Sequence, residues 1–324
     1  SPLTLQREGL KNIFREIDTD NDGQIRWADV AEFFANSLSG EHENSGEQEE
    51  DETSVHVYQL AATMPLVKLS VSRVEGITCL QDNDYIAVVA PTSNSVKLYN
   101  GETLTCEQEM AGHVASVVLV AELSGSDYIV TSGSDGCLIF WGKFTFHLRQ
   151  TIPTAHILSC CSWWPEGMQL FVGTASGSVF SFLVPKSIET GVEVVEAFHF
   201  QAHTEAIPAI LYLASMAYLV TSSFDGEVSL WHKHDDKSPP LLLHSFSAHS
   251  KAISQLAFCS SQKSLLTAAL DHRCKVWNLL SFGQTPIVLE GHPSAIAGIF
   301  VVSSAPQHVI TICRQAVVKV WDHR

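Results

Sequence analysis

The chain has 324 residues, of which 45% are hydrophobic and 17% are charged, and its formal net charge is −16. This composition is typical of a packed globular protein, and the excess of acidic residues argues against general nucleic-acid binding because phosphate backbones are also negative. The sequence has no run of about 18 apolar residues, so we expect no membrane insertion.

The first predicted element is a small α-helical segment, a helix–loop–helix over residues 1–39, whose loop has the pattern of an EF-hand. Carboxylates stand at loop positions 1, 3 and 5, and Gly23 at position 6 permits the positive φ that the turn requires. Position 7 would add a backbone carbonyl, and position 12 a carboxylate that completes the coordination of the ion. The predicted calcium ligands are therefore Asp18, Asp20, Asp22, Gln24 and Asp29.

Apolar residues at helical spacing flank this loop on both sides, which favours an ion-binding hand over a simple acidic turn between two helices. Asp29 stands where an EF-hand usually has glutamate, and its shorter side chain binds less easily through both oxygens. We therefore expect a weak Ca²⁺ site for which Mg²⁺ competes. Residues 40–54 follow as an acidic, almost apolar-free segment, which predicts a flexible linker.

The rest of the chain, residues 55–324, repeats at a nearly constant interval. Histidines recur at intervals of 43, 47, 46 and 43 residues, at His113, His156, His203, His249 and His292. Three late tryptophans have a threonine ten residues earlier and an aspartate six residues earlier. A fixed period of about 40 to 50 residues indicates one supersecondary unit copied several times.

We divide this region into six repeats of about four strands each, which predicts an all-β fold. Their approximate bounds are 66–112, 113–155, 156–202, 203–248, 249–291 and 292–324. The third strand of each repeat is a nearly continuous apolar run, as expected for a strand buried on both faces. Three repeats depart from the pattern: Tyr99 and Phe182 replace tryptophan in the first and third, and Gln315 replaces aspartate in the sixth.

The repeats resemble WD40 repeats, and their combination with the loop resembles the family of WD-repeat proteins with amino-terminal EF-hands. This resemblance implies a β-propeller of about six blades and a hydrogen-bonded polar set that locks each blade. The residues it assigns to that set are His113, Thr131, Asp135, Trp141, His203, Thr221, Asp225, Trp231, His249, Thr267, Asp271 and Trp277. Their repetition at blade spacing argues for a structural role and against a hydrolase triad.

The ends of the repeat array leave two alternatives open. Either a strand within 55–60 or 66–71 pairs with the last repeat and closes a six-bladed ring, or the sequence is a fragment of a longer protein with more blades. We favour the fragment. The eight cysteines form no CxxC pair, and we expect reduced, mostly buried thiols in an intracellular protein.

The function expected from these features is a noncatalytic protein-interaction scaffold whose EF-hand binds Ca²⁺ and regulates the binding of other proteins. One alternative is a constitutive WD40 scaffold with a structural or Mg²⁺-occupied hand, and a more distant one is a propeller enzyme. We expect a cytoplasmic location, to which the resemblance adds the cilium or flagellum, because several members of that family are linked to these organelles.

Overall fold

The structure is a computed structural model, and it describes residues 56–58, 76–80, 84–90, 92–101, 103, 105–187, 191–235, 237–280, 285–302, 308–315 and 317–322. The predicted EF-hand, its five ligands and the acidic linker lie outside the described residues and stay predictions. Within the described part, the regular structure is β-strand apart from one 3₁₀ turn, Ala214–Met216. No helix there is long and apolar enough to cross a bilayer.

The described residues form strands throughout the repeat region. In chain order they are β1 (His56–Tyr58), β2 (Gly76–Leu80), β3 (Tyr85–Val89), β4 (Ser95–Asn100), β5 (Cys106–Ala111), β6 (Val117–Glu122), β7 (Tyr128–Gly133), β8 (Cys137–Gly142), β9 (Leu148–Pro153), β10 (Leu158–Trp164), β11 (Gln169–Thr174), β12 (Ser178–Leu183), β13 (Val195–Gln201), β14 (Ile210–Leu213), β15 (Tyr218–Ser222), β16 (Glu227–His232), β17 (Leu241–Ser247), β18 (Ile253–Cys259), β19 (Ser264–Ala269), β20 (Cys274–Asn278), β21 (Ile287–Leu289), β22 (Ile296–Val301), β23 (His308–Cys313) and β24 (Val318–Asp322).

These strands form six four-stranded sheets in the described part of the chain. The first five take consecutive strands in order, β2 to β5, β6 to β9, β10 to β13, β14 to β17 and β18 to β21. The sixth has the order β1-β24-β23-β22, and β1 pairs antiparallel with β24, His56 facing Val320 and Tyr58 facing Val318. A strand that precedes all the repeats therefore covers the outer edge of the last sheet. The predicted all-β repeat architecture is confirmed for these residues.

The burial of the strands explains their composition. All six residues of β7, β11 and β19 are buried, and apart from Gln169 at the start of β11 these strands consist of apolar or small residues. The outer strands β5, β9 and β17 are mostly exposed. The tight turns between second and third strands use glycine at positive φ, for example Gly136 at 72° and Gly226 at 89°, where a side chain would be strained.

The described residues fall into two compact units. The larger comprises those within Leu60–Leu256 and Thr267–Asp271, and the smaller comprises those within Ser1–Gln59, Ala257–Leu266 and His272–Arg324. In the larger unit, adjacent sheets share apolar cores. The first and second sheets share Leu98, Met110, Ile129 and Ile139. The second and third share Val130, Phe140, Leu170 and Phe182. The third and fourth share Phe171, Val179, Leu219 and Trp231.

Candidate functional site

The second sheet brings together all four residues of its predicted polar set. His113 lies in the loop before β6, Thr131 in β7, Asp135 in the turn after β7, and Trp141 in β8. The Trp141 indole N–H donates to Thr131 Oγ1 at 2.8 Å, and Nε2 of His113 lies 2.8 Å from the same oxygen. Nδ1 of His113 lies 3.1 Å from Oδ2 of Asp135. A loop, two strands and a turn are thereby joined by hydrogen bonds at one end of the sheet.

The hydrogen positions in this set follow from its donors and acceptors. Because Thr131 Oγ1 accepts the indole N–H, the hydroxyl can donate its own hydrogen to Nε2 of His113, and Nδ1 then carries the proton that Asp135 accepts. Every buried polar group of the set has a partner, which removes the cost of burying it. Thr131 is fully buried, so its hydroxyl serves the fold rather than a substrate.

Asp135 also holds the two loops at this end of the sheet. Its carboxylate accepts the N–H groups of Val114 at 2.9 Å and of Cys137 at 3.1 Å. Burial pushes the pKa of Asp135 upward, but these two bonds and the bond from His113 outweigh it and keep the pKa below its usual value. The aspartate is therefore charged at neutral pH, and it fixes the loop before β6 to the turn after β7.

The fourth sheet repeats the set with one bond missing. Nε2 of His203 lies 2.8 Å from Thr221 Oγ1, and Trp231 donates to that oxygen at 2.9 Å. Asp225 accepts the Glu227 N–H at 2.9 Å, but no hydrogen bond between His203 and Asp225 occurs in the described part of the chain. Burial lowers the pKa of His203, although the Asp225 charge and Thr221 oppose this shift.

In the fifth repeat, His249 is held on both sides. Its Nε2 lies 2.7 Å from Thr267 Oγ1, and its Nδ1 lies 3.0 Å from Oδ2 of Asp271. Trp277, the fourth predicted member, lies in β20, where the Lys275 ammonium is 5.8 Å from the centre of its indole ring. Trp277 belongs to the smaller compact unit and the other three residues to the larger one.

The sixth sheet keeps the histidine, threonine and tryptophan but has no aspartate. Trp321 donates to Thr311 Oγ1 at 2.7 Å, and Nε2 of His292 lies 2.5 Å from the same oxygen. Nδ1 of His292 is buried and has no hydrogen-bond partner within the described residues. Burial, and then the nearby charge of Lys319, lower the pKa of His292 to about 4. The sequence shows Gln315 at the aspartate position, but it does not show that the imidazole nitrogen is left without a partner.

The first and third sheets have neither the threonine nor the tryptophan of the polar set. The strand registers place Val88 and Tyr99 in the first sheet, and Val172 and Phe182 in the third, at the positions of Thr131 and Trp141. All four are buried. Where the indole is lost, the hydroxyl that would accept its N–H is lost too, so no polar group is stranded. Sequence reasoning noted the aromatic exchange and missed the valines, although they stand at positions fixed by the repeat.

The remaining candidate groups in the described part of the chain are acidic, histidine and cysteine side chains. No group of three or more His, Cys, Asp or Glu side chains there is placed to hold a metal ion. All eight cysteines are free thiols, and Cys79 and Cys106 are exposed rather than buried.

Three exposed apolar side chains lie in loops and turns next to the first strands of neighbouring sheets. Val114 is 91% exposed in the loop before β6, Ile157 is 46% exposed in the loop before β10, and Phe224 is 53% exposed in the turn between β15 and β16. We call these three residues the apolar arc. They lie at the same end of the second, third and fourth sheets, and sequence reasoning did not single them out.

Backbone contacts connect the members of the apolar arc across neighbouring sheets. A Cβ placed on Gly136 would lie 3.4 Å from the backbone nitrogen of His156, so the turn of the second sheet touches the loop that carries Ile157. In the same way, a Cβ placed on Gly177 of the third sheet would lie 2.1 Å from the carbonyl oxygen of His203 in the next loop. From that loop, the Ala206 carbonyl accepts the N–H of Phe224 at 3.0 Å. The loops and turns that carry the arc therefore contact one another from sheet to sheet.

Comparison with known proteins identifies the repeats. Residues 104–142, 195–232 and 241–278 match the family model described as WD domain, G-beta repeat. Each matched segment runs from the outer strand of one sheet to the third strand of the next, and the three contain the repeats that have all four polar-set residues in sequence. No curated protein matches the chain significantly. These three segments match WD40 repeats, and each contains the histidine, threonine, aspartate and tryptophan of its repeat.

Proposed function

We propose that this chain is a noncatalytic protein-interaction scaffold, a WD40 β-propeller that uses the apolar arc to bind a partner protein. The observation that carries the proposal is the exposure of Val114, Ile157 and Phe224. Hydrogen bonds hold the backbones of the loops in which they lie. Exposed apolar side chains on a rigid frame are typical of protein-binding surfaces, because docking them releases water at little conformational cost.

The polar set holds the loop of Val114 in the second sheet, and backbone hydrogen bonds hold Ile157 and Phe224 in the third and fourth sheets. Asp135 accepts the N–H of Val114, the most exposed member of the arc, and also bonds to the buried His113. The loop is therefore anchored to the core of its sheet while the side chain of Val114 faces solvent. A preorganised loop loses little entropy on binding, which favours affinity for a partner.

Charges beside the arc indicate the chemistry of the partner. Glu205 and Asp225 are exposed next to Phe224, and Lys251 is the exposed basic residue in the following loop. Near Phe224, two acidic side chains against one basic side chain favour a partner segment whose apolar anchors are flanked by basic residues.

The test compares the two ends of the same sheets. Phe224→Ser and Val114→Ser remove arc side chains, whereas Phe144→Ser removes a somewhat more exposed phenylalanine than Phe224 from the loop between β8 and β9, at the other end of the second sheet. We expect proteins captured by the native chain to be lost with the arc variants and kept with Phe144→Ser. Equal loss with all three variants, or retention with all three, contradicts the use of the arc.

We further propose that Ca²⁺ regulates this scaffold through Asp18, Asp20, Asp22, Gln24 and Asp29. The support is the loop sequence alone. Calorimetric titration of the full chain with Ca²⁺ in millimolar Mg²⁺ tests it, with Asp18→Ala/Asp29→Ala as the disabled variant and Asn21→Ala, at a non-ligand position, as its control. Loss of binding and of calcium-dependent capture only in the double variant supports the switch. Binding without any change in capture favours the constitutive scaffold with a structural ion.

We also propose a cytoplasmic location, supported by the reduced thiols expected from the sequence, and a place in the cilium or flagellum, supported by the family resemblance. Fluorescent tagging of the full-length protein in ciliated cells tests both.

A further inference from the structure

The fourth sheet holds its histidine as the second sheet does, but it does not hold its aspartate. Nε2 of His203 lies 2.8 Å from Thr221 Oγ1, the same distance as in the second sheet. Asp225, by contrast, is exposed, and within the described residues one hydrogen bond reaches its carboxylate, from the Glu227 N–H at 2.9 Å. The aspartate of this turn therefore does not lock the imidazole.

A buried serine accounts for the separation of Asp225 from the imidazole. Ser223 stands two residues after the threonine of the set, where the second sheet has Gly133. A Cβ placed on Gly133 would lie 2.5 Å from Nδ1 of His113 and 2.6 Å from Oδ1 of Asp135, so this position borders the gap between imidazole and carboxylate. Alanine still permits the bond in the fifth sheet, but Ser223 adds a hydroxyl whose oxygen accepts the Asp225 N–H at 3.4 Å. This extra oxygen keeps the carboxylate away from the imidazole.

His203 provides the second, independent observation. It is 6% exposed, and its Nδ1 has no hydrogen-bond partner within the described residues. Because Thr221 Oγ1 accepts the Trp231 N–H, its hydroxyl can donate to Nε2 of His203, which leaves a proton on Nδ1. This N–H faces the place that an aspartate oxygen fills in the second sheet. In the described part of the chain, Nδ1 of His292 is sealed from solvent but Nδ1 of His203 is not, so the acceptor that it needs can come from another molecule.

Asp225 lies between an exposed aromatic ring and a second acid. Phe224, which is 53% exposed, precedes it in the turn, and the Phe224 N–H donates to the Ala206 carbonyl at 3.0 Å. This bond places the turn beside the loop that carries the exposed Glu205. Neither Asp225 nor Glu205 forms an ion pair within the described residues. Two carboxylates and an apolar ring are thus available together at one end of the fourth sheet.

We propose that Asp225 binds an arginine side chain of the partner that docks on the apolar arc, and that Ser223 makes this carboxylate available. The inference rests on the proposed use of the arc, and it assigns to the partner an exposed peptide segment with an arginine beside an apolar residue. Arginine fits better than lysine, because its two parallel N–H donors match both oxygens of a carboxylate. The net charge of −16 also favours the approach of a basic segment.

Groups of the fourth sheet each bind a different part of this segment. The guanidinium pairs with Asp225, and Glu205 adds a second negative charge beside it. The apolar residue packs on the exposed ring of Phe224. A backbone carbonyl of the segment accepts the Nδ1–H of His203 and so takes the place that an aspartate oxygen has in the second sheet.

The experiment uses amide NMR of the full chain and two blocked pentapeptides that differ at one residue. Both have glycine at each end and two leucines, between which one peptide has arginine and the other has citrulline, its uncharged isostere. We expect the arginine peptide to shift the amide signals of Phe224 and Asp225 and to bind at least about tenfold more tightly than the citrulline peptide. Asp225→Asn should remove this difference. Glu227→Gln, which removes an equal charge from an exposed residue two positions away, should change the affinity less than about twofold.

Ser223→Gly tests the role of the serine without changing any charge. We expect this substitution to bring Asp225 to His203, so that nitrogen NMR shows the Nδ1–H of His203 gaining a hydrogen bond. The arginine peptide should then bind about fivefold more weakly, because the carboxylate has turned inward. The far-ultraviolet spectrum should stay that of the native chain.

The outcomes separate this inference from the proposed use of the arc. Equal binding of both peptides that is lost with Phe224→Ser would leave the arc as a binding surface and overturn the role of Asp225. A preference for arginine that depends on Asp225 but survives Phe224→Ser would support the carboxylate and contradict the arc. Binding of neither peptide overturns the inference, and so does a Ser223→Gly chain that keeps its affinity for the arginine peptide.

Discussion

The second and sixth sheets carry the same buried histidine, threonine and tryptophan but treat the second imidazole nitrogen differently. In the second sheet, Asp135 lies 3.1 Å from Nδ1 of His113, whereas in the sixth sheet Nδ1 of His292 has no partner among the described residues. The indole and hydroxyl alone are therefore enough to place the imidazole. The aspartate has a different task, which is to tie the loop before the first strand to the turn after the second.

The third sheet extends this comparison because it has neither a threonine nor a tryptophan at the two polar-set positions. Val172 and Phe182 fill the positions of threonine and tryptophan, and the half-buried His156 bonds instead to Ser176, which stands at the aspartate position, with Nδ1 and Oγ 3.2 Å apart. The polar and apolar versions are each internally satisfied. A mixture of the two would leave a buried donor without an acceptor, which costs about 1–3 kcal/mol for each such group.

The largest loss of stability is therefore expected from combining valine, from the third sheet, with tryptophan, from the second. Thr131→Val in the second sheet removes the acceptor of the Trp141 N–H and the partner of Nε2 of His113. We expect a loss of about 4 kcal/mol in the free energy of unfolding, measured by urea denaturation, because two buried groups become unsatisfied. Thr131→Val/Trp141→Phe, which copies the third sheet, should recover part of that loss. A double variant less stable than the single one would show that packing, not the hydrogen bonds, governs the pair.

The next largest effect is a loss of stability in acid that is specific to the sixth sheet. The pKa of His292 in the folded chain is about 4, below its usual value of 6.5. Between these two pH values the imidazole is therefore protonated in the unfolded chain and neutral in the folded chain. The contribution to stability is complete above pH 6.5 and is lost as the pH falls from 6.5 to 4, by about 1.4 kcal/mol per pKa unit and about 3 kcal/mol in all.

Hydrogen exchange resolves this loss sheet by sheet. We expect the amides of β23 and β24 to lose protection between pH 6.5 and pH 4 before those of β7 and β8, after correction for the intrinsic exchange rate. Protection that falls equally in both sheets would assign the acid sensitivity to the chain as a whole.

The repeat period and the apolar strands were sufficient to predict most of this fold. For the second repeat, the pattern predicts strands at 116–122, 128–132, 137–141 and 146–152, and the structure has β6 to β9 within two residues of these bounds. The fourth strand begins later, at Leu148, because Phe146 adopts a φ of 54° and turns its ring into the core, 5.3 Å from that of Tyr85. A strand pattern cannot show such a local reversal of the backbone.

The functional surface was less predictable. The spacing of histidine, threonine, aspartate and tryptophan identifies which residues can meet, but the bond missing between His203 and Asp225 depends on side-chain geometry that spacing does not contain. The apolar arc also required the structure, because its members belong to three different repeats. The EF-hand residues lie outside the described part and remain predictions from sequence.

A smaller effect is expected from removing the aspartate itself. Asp135→Ala deletes the acceptor of the Val114 and Cys137 N–H groups and of His113. We expect a loss of about 2 kcal/mol in unfolding free energy, since hydrogen bonds to a charged group are worth about 1.5–3 kcal/mol each and solvent replaces some of them. Gln315→Ala at the same position of the sixth sheet should change stability by less than about 0.5 kcal/mol. Equal losses at both positions would contradict the distinction between the two sheets.

The smallest effect is a gain, and it tests whether the sixth sheet lacks only the carboxylate. In the fifth sheet, Ala269 and Asp271 stand at the positions of Cys313 and Gln315. Ala269 is fully buried while Oδ2 of Asp271 lies 3.0 Å from Nδ1 of His249, so alanine and aspartate fit together there. Cys313→Ala/Gln315→Asp should therefore supply the missing acceptor to His292, raise the unfolding free energy by about 1 kcal/mol and weaken the acid response between pH 6.5 and 4. Gln315→Asp alone should gain less, because Cys313 has a larger side chain than Ala269 has at the same strand position. A stabilisation in the double variant without any change in acid response would place the gain in packing and leave Nδ1 of His292 unpartnered.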